Sequence, residues 1–214
     1  MGEFVDRDKL RAYYEALRDR LISYFETNHM THNPKLIAIA GCSKGSGASS
    51  TAAGLAATLS ETGDGNVLLV DMNLQQGAAH SFYKGRPTCE LLDVLESEKR
   101  DPARIQENLY LATVNKASDS VPSVLPKRFM HLLPKLKMSD YDYIIFDMPT
   151  LSQTSITSKV AALMDMVLLV IESEKTNQHA VEQASSLLAE SKANVRVVFN
   201  KYRQHLPQWI HQDL

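Results

Sequence analysis

The stretch "GCSKGSGASST" (41–51) joins a short apolar run to an Ala/Leu-rich segment, and this junction decides the fold. The run "KLIAIA" (35–40) predicts a strand, and "SSTAAGLAATLSE" (49–61) predicts a helix. Glycines between a strand and a helix let consecutive backbone N–H groups turn toward an anion at the helix N-terminus. The stretch therefore predicts a phosphate-binding loop.

The loop lacks two parts of the usual phosphate-loop pattern, G-x-x-x-x-G-K-[ST]. Ala48 stands where the lysine is expected, and Cys42 replaces the first glycine. Gly45 and Gly47 keep the backbone requirement, and Ser49 keeps the hydroxyl that normally coordinates Mg²⁺. On the loop alone, a tight strand-to-helix turn without a ligand stays an open alternative.

Strand and helix patterns alternate along the rest of the chain. Apolar runs predict further strands at 66–71, 109–114, 141–147, 166–172 and 195–200. Helices are predicted at 8–26, 89–97 (capped by Thr88), 125–137 (ended or kinked by Pro134), 155–164 and 178–191. This alternation predicts an α/β three-layer sandwich with a mostly parallel central sheet, in one domain over residues 1–214.

Composition narrows the function classes. Among 214 residues, 44% are apolar and the formal net charge is −2, so we expect no nucleic-acid partner. Two cysteines give no disulfide framework and fit a reducing compartment. The sequence shows neither an apolar run of membrane-spanning length nor the apolar core of a signal peptide at its start. We therefore expect a cytoplasmic protein.

Two carboxylates follow buried strands. Asp71 comes directly after "VLLV" and Asp147 directly after "YIIF". In parallel sheets, ligands bind beyond the carboxyl ends of the strands, where the loop after residue 40 also lies. Such acids hold Mg²⁺ directly or through water. The alternative is that they cap turns, as Asp often does; two acids beside a glycine loop favour a nucleotide site.

Five segments resemble the bacterial tyrosine kinases of capsule and exopolysaccharide assembly (BY-kinases), which belong to the MinD/ParA-like deviant P-loop ATPases. The segments are "GSGASSTAAGLAATLSE", "VLLVDMNLQQGAAHSFY", "ELLDVLES", "YDYIIFDMPT" and "AALMDMVLLVIESEKTNQHAVEQASSLL" followed by "VVFNK". Their order and spacing match together over about residues 8–203. The resemblance implies a P-loop NTPase-like fold.

The departures from the family pattern fall at charged positions. The family loop resembles P-G-x-G-K-S-T, and its lysine is Ala48 here. In "LLVDMNLQ", Asn73 replaces the second acid of the family motif and Gln75 replaces its arginine. The tyrosine-rich tail, which is the family's autophosphorylation target, is missing: Tyr202 is the only tyrosine after Tyr143. A phosphate-loop lysine stabilises charge during transfer, so these losses predict a pseudo-kinase or pseudo-ATPase.

The resemblance also implies which residues form the site. It assigns nucleotide binding to Lys44, Gly45, Ser46, Gly47, Ala48, Ser49, Ser50 and Asn200, with Asn200 on the adenine side. It assigns Mg²⁺ to Ser49, Asp71 and Asp147. The cofactor would be ATP or ADP with Mg²⁺, bound weakly or no longer bound. Lys44 lies one residue after the extra loop lysine of the superfamily, so it is either a solvated lysine or a substitute cation.

The partners implied are a membrane polysaccharide co-polymerase or other assembly proteins, at the inner face of the cell membrane. The chain would regulate or scaffold polysaccharide assembly, and it could be the cytoplasmic part of the co-polymerase itself. A homo-oligomer stays open, because "EALRDR" matches the family's E-x-x-R-x-x-R motif at Glu15 and Arg18 but has Leu21 at the third position.

Two alternatives remain. "GASS" and "VDMNLQQGAA" also resemble the CpaE/TadZ-type pilus-localisation ATPases, which implies a positioning protein of a pilus or secretion system. An active ATPase or tyrosine autokinase that uses Lys44 is the third hypothesis.

Overall fold

The computed structural model describes residues 7–63, 65–72, 89–96, 99–113, 121–152 and 155–202. Its strands are β1 (Lys35–Gly41), β2 (Val67–Asp71), β3 (Arg104–Gln106), β4 (Leu109–Thr113), β5 (Tyr143–Asp147), β6 (Met166–Glu172) and β7 (Val195–Asn200). Its α-helices are α1 (Arg7–Thr27), α2 (Ala48–Ser60), α3 (Leu91–Val94), α4 (Val121–Lys137), α5 (Ile156–Ala161) and α6 (Gln178–Glu190).

The strands form one sheet in the order β3-β4-β2-β5-β1-β6-β7. All described pairs are parallel except β3 with β4, which are antiparallel at one edge. The parallel order confirms the predicted class, a mostly parallel α/β sheet of the P-loop NTPase type. Strand β3 has three residues, too few for a periodic pattern, and the sequence did not predict it.

The sheet is buried on both faces, as the three-layer prediction requires. Along β1, Leu36, Ala38 and Ala40 pack with residues of α4, α5 and α6. Ile37 and Ile39 point to the opposite face and pack with α1 and α2. This alternation places the helices in two outer layers, so burial of apolar surface on both sides holds the sheet.

Helix α1 packs on α2 of its own chain. Leu21 and Phe25 are buried in the core, and the Tyr14 ring lies so close to Gly54 that a side chain there would collide with it. Arg11 adds ion pairs to Glu15 at 2.9 Å and to Glu61 at 2.8 Å. The predicted amphipathic stripe of α1 is therefore used within the chain.

Three predicted helices differ in extent. Helix α4 ends at Lys137 as predicted but begins at Val121, four residues before the predicted start. It continues past Pro134 because Phe129 and Leu136 on either side are both buried, and their packing outweighs one lost backbone hydrogen bond. Helix α5 is shorter than the predicted 155–164. Helix α3 spans only four residues, and the hydroxyl of Tyr141 donates to the carbonyl of Val94 at its end, at 2.9 Å. Its predicted cap, Thr88, lies outside the described residues. Within the described ranges, every helix is too short or too polar to cross a bilayer.

Candidate functional site: a phosphate-loop cradle at the carboxyl ends of the strands

The loop after β1 turns on two glycines with left-handed backbones. Gly45 has φ +85° and Gly47 has φ +94°, in a region that L side chains rarely occupy. Gly47 is the N-cap of α2 and has no side chain with which to cap it. The first-turn N–H groups of a helix lack intrahelical partners. The start of α2 therefore offers backbone donors and a partial positive charge to an anion.

The loop is folded tightly on itself. A side chain at Gly41 would collide with the hydroxyl of Ser46, which is buried. The N–H of Ser46 donates to the carbonyl of Ser43 at 3.3 Å, and the N–H of Leu151 donates to the carbonyl of Gly41 at 3.1 Å. The absence of a side chain at Gly41 therefore makes room for the Ser46 hydroxyl and lets the loop close on itself.

Ala48 is the first residue of α2, and 8% of its surface is exposed. Its side chain ends at the β-carbon, so this position brings no positive charge to the cradle. Lys44 is exposed in the turn that precedes Gly45. Ser49 and Ser50 lie in the first turn of α2 and are partly buried. The structure thus brings these loop residues together at the helix N-terminus.

Asp71 and Asp147 lie side by side at the ends of neighbouring strands. They are register partners of β2 and β5, and their exposed fractions are 7% and 0%. Asp147 is also the register partner of Ile39, two residues before the loop begins at Gly41. The prediction that both carboxylates gather beside the loop agrees with this arrangement.

The donor set fits Mg²⁺ held together with a nucleotide. Within the described part of the chain, no group of three or more His, Cys, Asp or Glu side chains could hold a metal alone. Mg²⁺ usually takes one or two protein carboxylates, and phosphate and water oxygens complete its octahedron. Asp71, Asp147 and the hydroxyl of Ser49 match that requirement. When bound, Mg²⁺ would neutralise charge on the phosphates.

Thr150 is a buried polar residue that was not among the predicted site residues. Its hydroxyl oxygen has no hydrogen-bond partner among the described residues. The segment holding it follows β5, and the bond from Leu151 to Gly41 ties that segment to the start of the loop. A threonine three residues after Asp147 was the only available signal.

Asn200 does contact the loop, but through the loop's backbone. Its Nδ2 donates to the carbonyl of Ser46 at 2.9 Å, and its Oδ1 accepts from the N–H of Lys201 at 2.9 Å. A side chain at Gly47 would collide with Nδ2. The role predicted for Asn200 was a contact to the base, and that contact stays a prediction; the role seen here is that of a loop anchor.

Lys201 is a second loop contact that the sequence did not predict. Its ammonium donates to the carbonyl of Gly45 at 2.7 Å and lies 3.2 Å from Glu172. Lys175 also pairs with Glu172, at 2.8 Å. The hydrogen bond from Lys175 and the charges of both lysines lower the pKa of the Glu172 carboxyl. Glu172 is therefore held as an anion between two cations.

Asn73 and Gln75 are outside the described residues. Cys42 is buried, and burial raises the pKa of its thiol, so it stays a protonated packing residue. His32, in the linker before β1, is half-exposed and lies 3.1 Å from Asp165.

Comparisons with known proteins identify the family. A family model described as "AAA domain" matches residues 34–201. EpsB of Ralstonia solanacearum, assigned as a tyrosine-protein kinase, is 28% identical over 87% of this chain, but the match covers 25% of EpsB. The tyrosine-protein kinase YwqD of Bacillus subtilis is 27% identical over 75% of this chain and 69% of its own length. The chain thus spans about a quarter of EpsB.

Solved structures share the fold at low identity. The kinase domain of VpsO superposes with a TM-score of 0.71 at 22% identity, covering 94% of this chain and 100% of that domain. A plasmid partition protein of Borrelia burgdorferi bound to AMPPNP gives a TM-score of 0.57 at 21% identity, covering 85% of this chain and 80% of the other. Tyrosine kinase domains and partition proteins therefore share this architecture.

Proposed function

Because the chain belongs to the AAA domain family matched over residues 34–201, we propose that it is a nucleotide-binding domain of the tyrosine-kinase type that has lost phosphoryl transfer. It acts in exopolysaccharide or capsule assembly, as a regulator or scaffold. Its partner is a membrane polysaccharide co-polymerase or another assembly protein at the inner face of the cell membrane. The nucleotide is ATP or ADP with Mg²⁺.

One observation carries the loss of chemistry: Ala48 is the first residue of α2, in a loop that keeps Gly45, Gly47 and Ser49. A phosphate-loop lysine acts on charge that develops at the transferred phosphoryl group. Preorganised charge of this kind acts mainly on the transition state, so its removal lowers turnover more than binding. The backbone donors and the two carboxylates act on the bound nucleotide, so they support binding without transfer.

The biological setting rests on the resemblance to BY-kinases and on relatives named as tyrosine-protein kinases. Since the chain spans about a quarter of EpsB, the activity and partners of that whole protein come to this chain only as a proposal. The pilus-localisation alternative stays a prediction, and no contact in the described residues favours it.

The test is calorimetry of the full chain with ADP and Mg²⁺, together with a steady-state ATP hydrolysis assay on the same preparation. We expect ADP to bind with a Kd below about 1 mM, which is roughly 4 kcal/mol of binding, and ATP turnover to be absent. Failure to bind ADP would leave the loop with a structural role only.

The Lys44→Ala variant distinguishes this proposal from the alternative of an active enzyme that uses Lys44. If wild-type protein hydrolyses ATP and Lys44→Ala abolishes that turnover, Lys44 substitutes for the missing lysine and the proposal of lost transfer is wrong. If turnover is absent in both, the proposal stands.

A further inference from the structure

The end of β7 holds the phosphate loop by two adjacent side chains. Asn200 Nδ2 donates to the carbonyl of Ser46 at 2.9 Å, and Lys201 Nζ donates to the carbonyl of Gly45 at 2.7 Å. The two carbonyls belong to consecutive peptide groups. The two contacts therefore fix the orientation of two successive loop peptides.

Peptide orientation is what makes a loop bind anions. In a trans peptide the C=O and N–H groups point in opposite directions. The contact to the Ser46 carbonyl therefore turns the N–H of Gly47 away from β7. The N–H of Ser46 closes the turn onto Ser43 at 3.3 Å. Anion cradles depend on successive N–H groups held in such orientations.

The two side chains are themselves fixed. Asn200 is the register partner of Glu172, which is buried at the end of β6 and lies 3.2 Å from the ammonium of Lys201. Lys201 has a left-handed backbone, φ +56°, and its N–H donates to Asn200 Oδ1 at 2.9 Å. Left-handed residues other than glycine persist where their surroundings hold them. Asn200 also fits against Gly47 only because that residue lacks a side chain.

We propose that Asn200 and Lys201 are positioning residues that clamp the phosphate loop in its anion-binding conformation. Through the loop amides, the clamp would act on the phosphates of a bound nucleotide. In a loop without a lysine at position 48, these two contacts supply some of the order that a bound phosphate group would otherwise have to impose. The inference rests on the proposed nucleotide binding, but the clamp itself can be measured without nucleotide.

The experiment compares three variants of the full chain. Lys201→Met removes the contact to Gly45, Lys201→Arg restores a donor, and Lys175→Met is the matched control. Lys175 shares Glu172 with Lys201 at 2.8 Å, so its loss changes charge equally without removing the clamp contact. Hydrogen exchange is measured on peptides covering residues 41–52 without nucleotide, and calorimetry then measures ADP with Mg²⁺.

We expect Lys201→Met to speed hydrogen exchange of the loop amides about tenfold and to weaken ADP binding about tenfold. Lys175→Met should match wild type in both, and Lys201→Arg should recover most of the loss. A merely structural residue would lower the unfolding midpoint without a selective change in loop exchange. Asn200→Ala removes the contact to the Ser46 carbonyl, so it should also speed hydrogen exchange of the loop amides.

The clamp proposal is wrong if the loop amides exchange at the same rate in wild type and Lys201→Met. It is also wrong if Lys201→Met and Lys175→Met change loop exchange and ADP binding equally. Faster loop exchange in Lys201→Met, with no ADP binding by wild type, supports the clamp and contradicts the proposed nucleotide binding. The two ideas therefore fail separately.

Discussion

Asp71 and Asp147 are register partners on β2 and β5, and both side chains are buried beside the phosphate loop. Two carboxylates on adjacent strands raise each other's free energy in the charged state. A divalent cation relieves that repulsion. We therefore expect Mg²⁺ binding at this pair to be coupled to nucleotide binding.

Replacement of Asp71 by Asn should remove the Mg²⁺ dependence of ADP binding. We expect Mg²⁺ to tighten ADP binding to wild type by about tenfold or more, since a charged contact contributes about 1.5–3 kcal/mol. The Asp71→Asn variant should bind ADP with the same Kd with or without Mg²⁺. Asp101→Asn is the charge control, because Asp101 is exposed on the 3₁₀ turn before β3. An undiminished Mg²⁺ effect in Asp71→Asn would rule out Asp71 as a metal ligand.

Gly47→Ala should destabilise the protein more than Gly63→Ala. Both glycines have left-handed backbones, with φ +94° and +76°, so each substitution introduces strain of about 1–2 kcal/mol. Only the new side chain at Gly47 would also collide with Asn200, whereas nothing lies within 4 Å at Gly63. The collision should add roughly 1–3 kcal/mol to the loss in unfolding free energy. Equal losses in urea unfolding would show that Asn200 does not pack on the loop.

Glu172 should give the protein stability that acid removes. Its folded-state pKa lies below the usual 4.5, chiefly because Lys175 donates a hydrogen bond to it and Lys201 pairs with it. Since the folded carboxyl binds a proton less readily than the unfolded one, this stabilisation is fully present above pH 4.5 and disappears as pH falls through the lowered pKa. Glu172→Gln should therefore be less stable than wild type at pH 7, and the difference should shrink toward pH 3. A difference that stays constant with pH would contradict this assignment.

Thr150 and Thr157 form a matched pair of buried threonines. The Thr150 hydroxyl lacks a hydrogen-bond partner among the described residues, whereas the Thr157 hydroxyl donates to the carbonyl of Pro149 at 2.8 Å. Valine has nearly the same shape, so Thr150→Val should raise the unfolding free energy of the nucleotide-free protein by about 1 kcal/mol, and Thr157→Val should lower it by about 1 kcal/mol. If Thr150→Val is destabilising in urea unfolding, the hydroxyl has a partner such as a buried water.

The sequence predicted the sheet and the carboxylates because both follow from local patterns. Long apolar runs identify buried parallel strands, and the ends of such strands necessarily meet at one edge, where Asp71 and Asp147 lie. The short edge strand β3 carries no such pattern. Helix α4 continues past Pro134 because tertiary packing outweighs the tendency of proline to end a helix.

The hold of β7 on the loop could not be predicted from the sequence. The contacts from Asn200 to Ser46 and from Lys201 to Gly45 join residues that are 154 and 156 positions apart in the chain. No spacing rule relates residues so far apart. The resemblance to BY-kinases did draw attention to Asn200, but it pointed to the nucleotide base. Asn73 and Gln75, outside the described residues, stay predictions from the motif alone.

The central claim is that the loop keeps its backbone cradle and lacks the charge of a lysine at position 48. The most direct measurement is ADP binding with Mg²⁺ by calorimetry for Ala48→Lys and Ala48→Met, two variants of similar length that differ in charge. The account predicts that Ala48→Lys binds ADP roughly 10–100-fold more tightly than Ala48→Met, because one charged hydrogen bond to phosphate is restored. Equal affinities in two folded variants would contradict it.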